Sequence, residues 1–365
     1  KQQAPLAQSA EQLTLNQWVL GSSPRGCTKS RFLLTRAGIF HLWQSVLVND
    51  SPNFSDMTLE HQVDSLAACV SEIVGQYNLD VASTESINHE FNSTFKVTTA
   101  DGERFALRIN VNSTRTLENL RAEIFWVKTI STVKVPKPVA NATGEYITFG
   151  HHDATGRRLA SVLYTWLEGE ELGDEPTIPQ LRATGRAMAM LHQQSAGLML
   201  PDGASLPDLS DFFWDSKDLL TGADSLLSND EQEVVNQTRT QIERALDELR
   251  TQEAVQPIHA DIHPWNVMWH NESAAVFDFD DSGIGLRVQD LATALYYLDT
   301  PEQDAALLEG YRSVCPLPDY TEHQMKLLQL QRRILLLNYL YETSNPEHAE
   351  MLPEYHAETF RRLQA

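Results

Sequence analysis

The chain has 365 residues, 42% of them hydrophobic, which is enough for two domain-sized cores. Its formal net charge of −22 argues against nucleic acid and anionic membranes as partners, because Lys and Arg bind phosphate groups, and it suits an amine-bearing substrate. No run reaches about 18 apolar residues, so no membrane span is predicted. The three cysteines lie far apart, which argues against a disulfide framework or a zinc site and indicates a reducing, cytoplasmic location.

The first 56 residues differ from the rest and contain no methionine. Short peptides at 7–12, 21–24 and 27–29 can be back-translated into sequences that resemble the D-arm, the T-arm and the CCA end of a tRNA gene. We therefore expect residues up to about Ser30 to be the translation of such a gene, and residues 1–56 to be a disordered or non-native extension. Translation is then expected to start at Met57, or at a non-ATG codon shortly before it. The alternative is an ordinary disordered polar tail.

Downstream of Met57 the hydrophobic residues follow a helical period to Val74, and from about Asn88 they alternate with polar ones. The Asp-Gly within the turn Ala100–Glu103 separates two alternating runs and predicts a β-hairpin. The prolines of 135–139 cannot continue a helix and mark a break. Further elements are predicted as a helix over 117–130, strands near 145–149 and 159–167, and helices over 181–192, 230–251 and 327–341.

The stretch from His259 to Asp281 brings Asp261, Asn266 and Asp278 into one loop and one nearby strand end. Hard cations such as Mg²⁺ take oxygen ligands, and phosphoryl transfer needs an acid–base group close to a metal. An Asp, an Asn a short loop later, and a strand that ends in Asp follow the order of a kinase catalytic loop. The alternative is that these polar residues cap turns in an ordinary β-loop-β unit.

At these residues the chain resembles the aminoglycoside phosphotransferase and choline kinase family, whose pattern reads His-x-Asp-x-x-x-x-Asn, then a strand and a metal-binding Asp. The matching residues are His259, Asp261, Asn266 and Asp278. The resemblance implies that Asp261 orients and deprotonates the acceptor hydroxyl, and that Asn266 and Asp278 hold Mg²⁺ between the phosphates of ATP. His259 is expected to brace the loop.

The resemblance covers the chain from about Met57 to the last helices and implies an α+β, protein-kinase-like fold with two lobes. The predicted N-lobe, residues 57–166, is an antiparallel sheet with a main helix. The predicted C-lobe, residues 167–365, is larger, mostly helical, and carries the catalytic loop. No internal repeat interrupts this organisation.

The same resemblance implies ATP-binding residues in the N-lobe. Arg108 stands where the family has a basic strand residue that grips the phosphates, and Glu123 stands where a helix Glu pairs with it. A glycine-rich loop is absent, so Asn92 and its neighbours Ser93 and Thr94 would cover the phosphates. Trp166 and Leu167, at the predicted hinge, could line the adenine slot, although such residues are more often plain core.

Around the catalytic loop, His263 and Trp265 are expected to border the acceptor pocket. Asp280 and Asp281 could assist a second metal or hold a substrate amine, and simple solvated acidity is the alternative.

Asp290 precedes an apolar helix and is interpreted first as a helix cap. With His259, it is assigned a structural role beside the loop. His192 lies in a helix that matches the family pattern Gly-x-x-x-Ala-x-Leu-His and is expected to be structural.

The favoured function is ATP-dependent transfer of the γ-phosphate to a hydroxyl of a small metabolite, with ATP and Mg²⁺ as cofactors. The acceptor is an amino alcohol, a sugar, an amino acid or an aminoglycoside-like molecule. The enzymatic alternative is a bacterial Ser/Thr protein kinase of the stress-response type, which acts on a protein substrate and which the chain also resembles in its Asp-x-Asp-Asp and Gln-Asp-Leu elements. A nucleotide-binding pseudokinase is the alternative from another class, which Arg108 and the absent glycine-rich loop leave open.

Overall fold

The computed structural model describes residues 54–343 and 345–364. The helices are α1 (Leu59–Ser65), α2 (Ala67–Val74), α3 (Leu117–Thr129), α4 (Ile178–Ser195), α5 (Asn229–Arg250), α6 (Arg287–Tyr296), α7 (Pro301–Arg312), α8 (Glu322–Glu342) and α9 (Pro346–Leu363). The strands are β1 (Val81–His89), β2 (Asn92–Thr99), β3 (Arg104–Asn110), β4 (Pro138–Val139), β5 (Ile147–His152), β6 (Arg157–Thr165), β7 (Glu170–Glu171), β8 (Gln256–Ile258), β9 (Val267–His270), β10 (Ser273–Val276) and β11 (Gly283–Gly285).

Strands β1 to β6 form one antiparallel sheet in the order β1-β2-β3-β6-β4, with β5 also paired to β6. The predicted hairpin is confirmed as β2 and β3, in which Thr94 pairs with Arg108 and Phe95 with Leu107. Because side chains alternate between the two faces of a strand, Phe95 and Leu107 lie in the core while Thr94 and Arg108 share the opposite face.

One face of this sheet is covered by α1 and α2. Leu66, between the two helices, and Val70 and Ile73 of α2 are buried and pack with Phe95 in one core. The helical period downstream of Met57 is therefore confirmed, but the chain forms two helices that meet at Leu66. Strand β1 was not predicted over its full length. Its middle residues are exposed, so its sequence lacks the apolar alternation that marks a half-buried strand.

The second half of the chain is mainly helical and contains two small antiparallel sheets, β10-β9-β7 and β11-β8. Its core also takes in the end of α3, where Trp126 and Val127 are buried. Trp126 donates from Nε1 to Ser195 Oγ at 2.8 Å, which fastens α3 to α4. The fold is α+β, with an antiparallel sheet and helices followed by a larger helical part, as the sequence predicted.

The predicted N-terminal extension falls almost entirely outside the described residues. Of residues 1–56, the structure describes 54–56, which form a short 3-10 helix with Phe54 buried against His152, ring centroids 5.1 Å apart. The tRNA-like segment and the expected start at Met57 stay predictions. Among the described residues, no helix combines the length and the apolar character that crossing a membrane requires.

Candidate active site

The loop between β8 and β9 carries Asp261 and Asn266, and its backbone is held by one buried side chain. Asp290 Oδ2 accepts from the His259 N–H at 3.1 Å, and Oδ1 accepts from the Ala260 N–H at 2.5 Å. Ala260 has a φ of 65°, an unfavourable conformation for a residue other than glycine, so these bonds fix a strained turn directly before Asp261.

The first interpretation of Asp290 as a helix cap was wrong. Asp290 lies inside α6, and the Gln289 side chain accepts from the Leu286 N–H at 2.8 Å in the capping position. Asp290 instead reaches across to the loop and to His192, whose Nε2 lies 2.8 Å from Asp290 Oδ2. The assignment of His192 as structural agrees with this contact, since His192 is 2% exposed.

His259 joins the loop to the strand end that carries Asp278. Its Nδ1 accepts from the Asp261 N–H at 3.2 Å, so its Nε2 carries the proton and donates to the Phe277 carbonyl at 3.0 Å. Burial lowers the pKa of His259, which favours this neutral form. The Phe277 N–H also donates to the Asn266 carbonyl at 3.1 Å, so Asp261, Asn266 and Asp278 are held beside one another.

Asp261 is buried, with 7% of its surface exposed, and both carboxylate oxygens are engaged. Oδ2 accepts from Asn266 Nδ2 at 3.0 Å and from His263 Nε2 at 3.3 Å. Oδ1 accepts from the guanidinium of Arg332, on α8. Burial opposes the charge of Asp261, but Arg332 and then His263 outweigh it and hold the pKa of Asp261 well below its ordinary value.

Asp278 has a φ of 61°, and its residue surface is exposed. Desolvation by the surrounding protein, followed by the charge of Asp280, raises the pKa of Asp278 to about 7. Asp280 itself accepts from Asn92 Nδ2 at 2.8 Å, and its buried Oδ1 has no hydrogen-bond partner. Arg108 Nη1 lies 3.8 Å from that oxygen, beyond hydrogen-bonding distance.

This surplus of carboxylate charge fits a bound cation. Asp278 and the amide oxygen of Asn266 are the oxygen ligands that Mg²⁺ prefers, and Mg²⁺ commonly binds one or two carboxylates together with substrate phosphates. Within residues 54–343 and 345–364, no group of three or more carboxylate, imidazole or thiol side chains is arranged to hold a metal ion by itself.

The predicted pairing of Arg108 with Glu123 is confirmed. Arg108 Nη2 donates to Glu123 Oε2 at 2.5 Å, and the Tyr164 hydroxyl donates to Glu123 Oε1 at 2.6 Å. Arg108 is 7% exposed and Glu123 4%, so this pair is shielded from solvent. Through it, α3 fixes the basic side chain at the cleft face of β3.

The other predicted ATP-binding residues lie at the start of β2 and just after β6. Asn92, at the start of β2, reaches Asp280 through its amide. Trp166 lies beside Arg104, and the guanidinium carbon of Arg104 is 5.8 Å from the centroid of the Trp166 ring. Arg104 and Arg108 are four residues apart on β3, so their side chains lie on the same face of the sheet. Leu167 is buried. Their contacts with a nucleotide stay predictions.

The predicted acceptor-pocket residues separate into two groups. His263 and Trp265 pack around Tyr297, with ring centroids 4.9 and 6.4 Å from the tyrosine ring. Asp280 and Asp281 face the N-terminal half instead: Asp280 contacts Asn92, and Asp281 Oδ1 lies 3.4 Å from Arg115 Nη2. Asp281 also lies within electrostatic reach of Asp261 and Arg332, so it stays close to the catalytic loop.

Arg332 and Tyr297 were missed by the sequence analysis. Arg332 lies 71 residues beyond Asp261 in a leucine-rich helix, where Arg normally marks an exposed position. No spacing rule connects it to the loop. A weak signal is present, because Arg332 and Arg333 are the only charged residues in the leucine-rich stretch from Leu327 to Leu340.

Comparisons with known proteins agree with this geometry. The model of the phosphotransferase enzyme family matches residues 84–328. No curated protein matches the chain. Similar solved structures include an amicoumacin kinase in complex with AMP-PNP, Ca²⁺ and amicoumacin (20% identity, TM-score 0.65, covering 83% of this chain and 93% of that one). A microcompartment-associated aminopropanol kinase is similar at 22% identity (TM-score 0.64, 82% and 95% covered). An aminoglycoside phosphotransferase from Alicyclobacillus acidocaldarius is similar at 14% identity (TM-score 0.54, 80% and 92% covered).

The solved structures establish the kinase-like fold, and the family match covers the catalytic loop, the cleft face of the sheet and most of the helical half. The chain is a member of the phosphotransferase enzyme family and an ATP-dependent phosphotransferase.

Proposed function

We propose that the chain transfers the γ-phosphate of ATP to a hydroxyl group of a small metabolite, with Asp261 as the residue that receives that hydroxyl. The observation that carries this proposal is the convergence of Asp261, Asn266 and Asp278. The Phe277 carbonyl accepts from His259 Nε2 and the Phe277 N–H donates to the Asn266 carbonyl, so the strand end that carries Asp278 is tied to the loop that carries Asp261 and Asn266.

Asn266 and Asp278 would hold Mg²⁺, which neutralises phosphate charge when it is bound. Arg108, fixed by Glu123, would bind phosphate oxygens from the sheet side of the cleft. Asp261 would orient the hydroxyl for attack and accept its proton. Because phosphoryl transfer depends mainly on alignment and charge stabilisation, a rigidly held carboxylate suits this role.

The relatives support a small-molecule acceptor. Two of the similar structures are named as kinases of amicoumacin and of aminopropanol, and a third is named as an aminoglycoside phosphotransferase. For this chain we propose an acceptor in the same range: an amino alcohol, a sugar, an amino acid or an aminoglycoside-like molecule. Its net charge of −22 favours an acceptor that carries an amine.

The test is ADP production from Mg·ATP by the full-length chain with pooled amino alcohols, sugars, amino acids and aminoglycosides, and with a generic protein substrate. Asp261→Asn keeps the side-chain shape and is expected to lower the acceptor-dependent rate by about 10²- to 10⁴-fold, the usual contribution of an acid–base group. Asp153→Asn, which changes an exposed carboxylate on the β5–β6 turn, is the matched control and is expected to keep the rate. Equal turnover by wild type and Asp261→Asn would refute the assignment. Turnover with the protein substrate alone would refute the small-molecule acceptor.

A further inference from the structure

The guanidinium of Arg332 is the nearest positive charge to Asp261 and is itself firmly anchored. Arg332 donates to the Tyr297 hydroxyl from Nε at 3.0 Å and from Nη2 at 2.9 Å, and Nη2 also donates to Asp261 Oδ1. Arg332 is 5% exposed and Tyr297 4%. The two donors on one hydroxyl fix the plane of the guanidinium, so the direction of its bond to Asp261 is also fixed.

The hydrogen bonds to Asp261 determine where an acceptor hydroxyl can bind. A carboxylate oxygen offers about two acceptor positions. Asn266 Nδ2 and His263 Nε2, which lie 2.9 Å from one another, both crowd Oδ2 at 3.0 and 3.3 Å, whereas Arg332 makes a single contact with Oδ1. The open position is therefore on Oδ1, directly beside Arg332.

The energetics argue that Arg332 does more than stabilise the fold. A buried ion pair loses so much hydration that replacing it with apolar side chains is often neutral or stabilising. The neighbouring Arg333 is 3% exposed, and within the described residues its hydrogen bonds go to the Tyr296 hydroxyl at 3.3 Å and the Tyr355 carbonyl at 3.4 Å rather than to a carboxylate. Of these two adjacent buried arginines, only Arg332 reaches the reacting group.

We propose that Arg332 is a positioning residue that orients the Asp261 carboxylate so that the open acceptor position of Oδ1 receives the attacking hydroxyl. This inference rests on the proposed function, because it assigns Arg332 an effect on the same reaction. Arg332 acts through Asp261, because its hydrogen bond sets the direction in which the open lone pair of Asp261 Oδ1 points. Its loss should therefore slow transfer without weakening the binding of ATP.

The experiment compares Arg332→Ala with Arg333→Ala in ADP production by the full-length chain. Arg332→Ala is expected to lower kcat by about 10²-fold, the cost of a misplacement near 1 Å, with the KM for ATP nearly unchanged. Arg333→Ala removes an equally buried guanidinium from the same helix and is expected to keep kcat within about threefold, even if it lowers stability. Tyr297→Phe removes the anchor of Arg332 and is expected to give a smaller loss in kcat.

Rescue by small molecules separates positioning from structure. Guanidinium ion, added below the concentration that unfolds the protein, is expected to raise the rate of Arg332→Ala about tenfold. It can occupy the vacated site and donate a hydrogen bond to Asp261 Oδ1. Urea, which has a similar shape and no charge, is the control and should restore little. Equal rescue by urea, or equal loss of kcat in Arg332→Ala and Arg333→Ala, would overturn the proposal.

A stability measurement makes failure of this inference distinguishable from failure of the proposed function. Urea unfolding of Asp261→Asn, Arg332→Gln and the double variant measures the coupling between the two side chains. Additive effects would show that they do not interact and would refute the inference alone. Absence of ADP formation by the wild type would refute the proposed function and, with it, the catalytic effect assigned to Arg332.

Discussion

At the scale of single residues, Asp290 shows how a carboxylate far from solvent maintains the catalytic loop. It is 1% exposed and receives the N–H groups of His259 and Ala260 together with His192 Nε2. Without it, two backbone donors would be buried without partners beside a strained turn.

Asp290→Ala is therefore expected to lower the free energy of unfolding by about 3–5 kcal/mol, the usual cost of breaking a buried charged network. Asp290→Asn should cost less, because its amide oxygen can still accept from one of the donors. Urea unfolding followed by circular dichroism measures both. Asp153→Ala, at a side chain that is 88% exposed, is the control and should change stability by about 0.5 kcal/mol or less. A loss below about 1 kcal/mol in Asp290→Ala would contradict the role of Asp290 in the loop.

The limits of sequence analysis are also clearest at single residues. His259, Asp261, Asn266 and Asp278 could be found because the loop and its strand are local in sequence, so a fixed spacing brings them together. Arg332 could not, because its contact with Asp261 depends on how α8 packs across the helical half. The role of Asp290 was misread as a cap for the same reason, since its partners lie about 30 residues upstream.

At the scale of elements, α4 and α7 cross at unusually close range. A Cβ atom built on Gly185 would overlap the carbonyl oxygen of Leu307, and one built on Gly310 would overlap the carbonyl oxygen of Arg182. The two glycines therefore let each helix backbone pack directly against the other. This contact explains the glycine of the Gly-x-x-x-Ala-x-Leu-His pattern, and it places His192, at the end of α4, against Asp290.

Gly185→Ala is expected to lower the free energy of unfolding by about 1–3 kcal/mol or more, because the backbone of Leu307 cannot move aside as a side chain could. This outcome would oppose the intrinsic preference of alanine for helices, which favours the variant by about 1 kcal/mol. Thermal or urea unfolding shows whether Gly185→Ala lowers or raises the free energy of unfolding. Gly222→Ala is the matched control, since its added Cβ would lie 3.6 Å from the nearest atom, an ordinary contact. A stabilised Gly185→Ala protein would show that the helices can separate without cost.

Periodicity predicted the elements well where burial is one-sided. The hairpin of β2 and β3 and the helices α3, α4 and α5 appear within a few residues of their predicted ranges, because each has one buried face. Strand β1 and the two-residue strands β4 and β7 were not predicted, because backbone pairing with their neighbours defines them rather than an apolar pattern.

At the scale of the whole molecule, the sheet and the helical half meet again at the turn between β1 and β2. The Phe91 ring lies 5.6 Å from the Tyr339 ring on α8, and Glu90 Oε1 lies 3.5 Å from both Asn345 Nδ2 and His348 Nδ1. The next residue, Asn92, bonds to Asp280 across the cleft. Any opening of the cleft at this end must break these contacts together.

Glu90 makes this contact sensitive to pH. Burial raises the pKa of Glu90 from an ordinary 4.5 to about 7, partly offset by the hydrogen bond from Asn345. A carboxyl group with a raised pKa holds its proton more tightly in the folded protein. Its contribution to stability is therefore fully present below about pH 4.5 and is lost as the pH rises to about 7.

Glu90→Gln removes this titration, so the stability of the wild type should fall relative to that of the variant between about pH 4.5 and pH 7, by about 1–3 kcal/mol. Urea unfolding of both proteins across this range measures the difference directly. Groups remote from Glu90 titrate equally in both proteins and contribute nothing to this difference, whereas His348, 3.5 Å away, contacts the substituted group. Glu85→Gln, at an exposed position on β1, is the matched control, and its difference from the wild type should stay constant. A constant difference for Glu90→Gln as well would mean that the carboxyl group is ionised throughout, and that the contact between the two halves does not exclude water from Glu90.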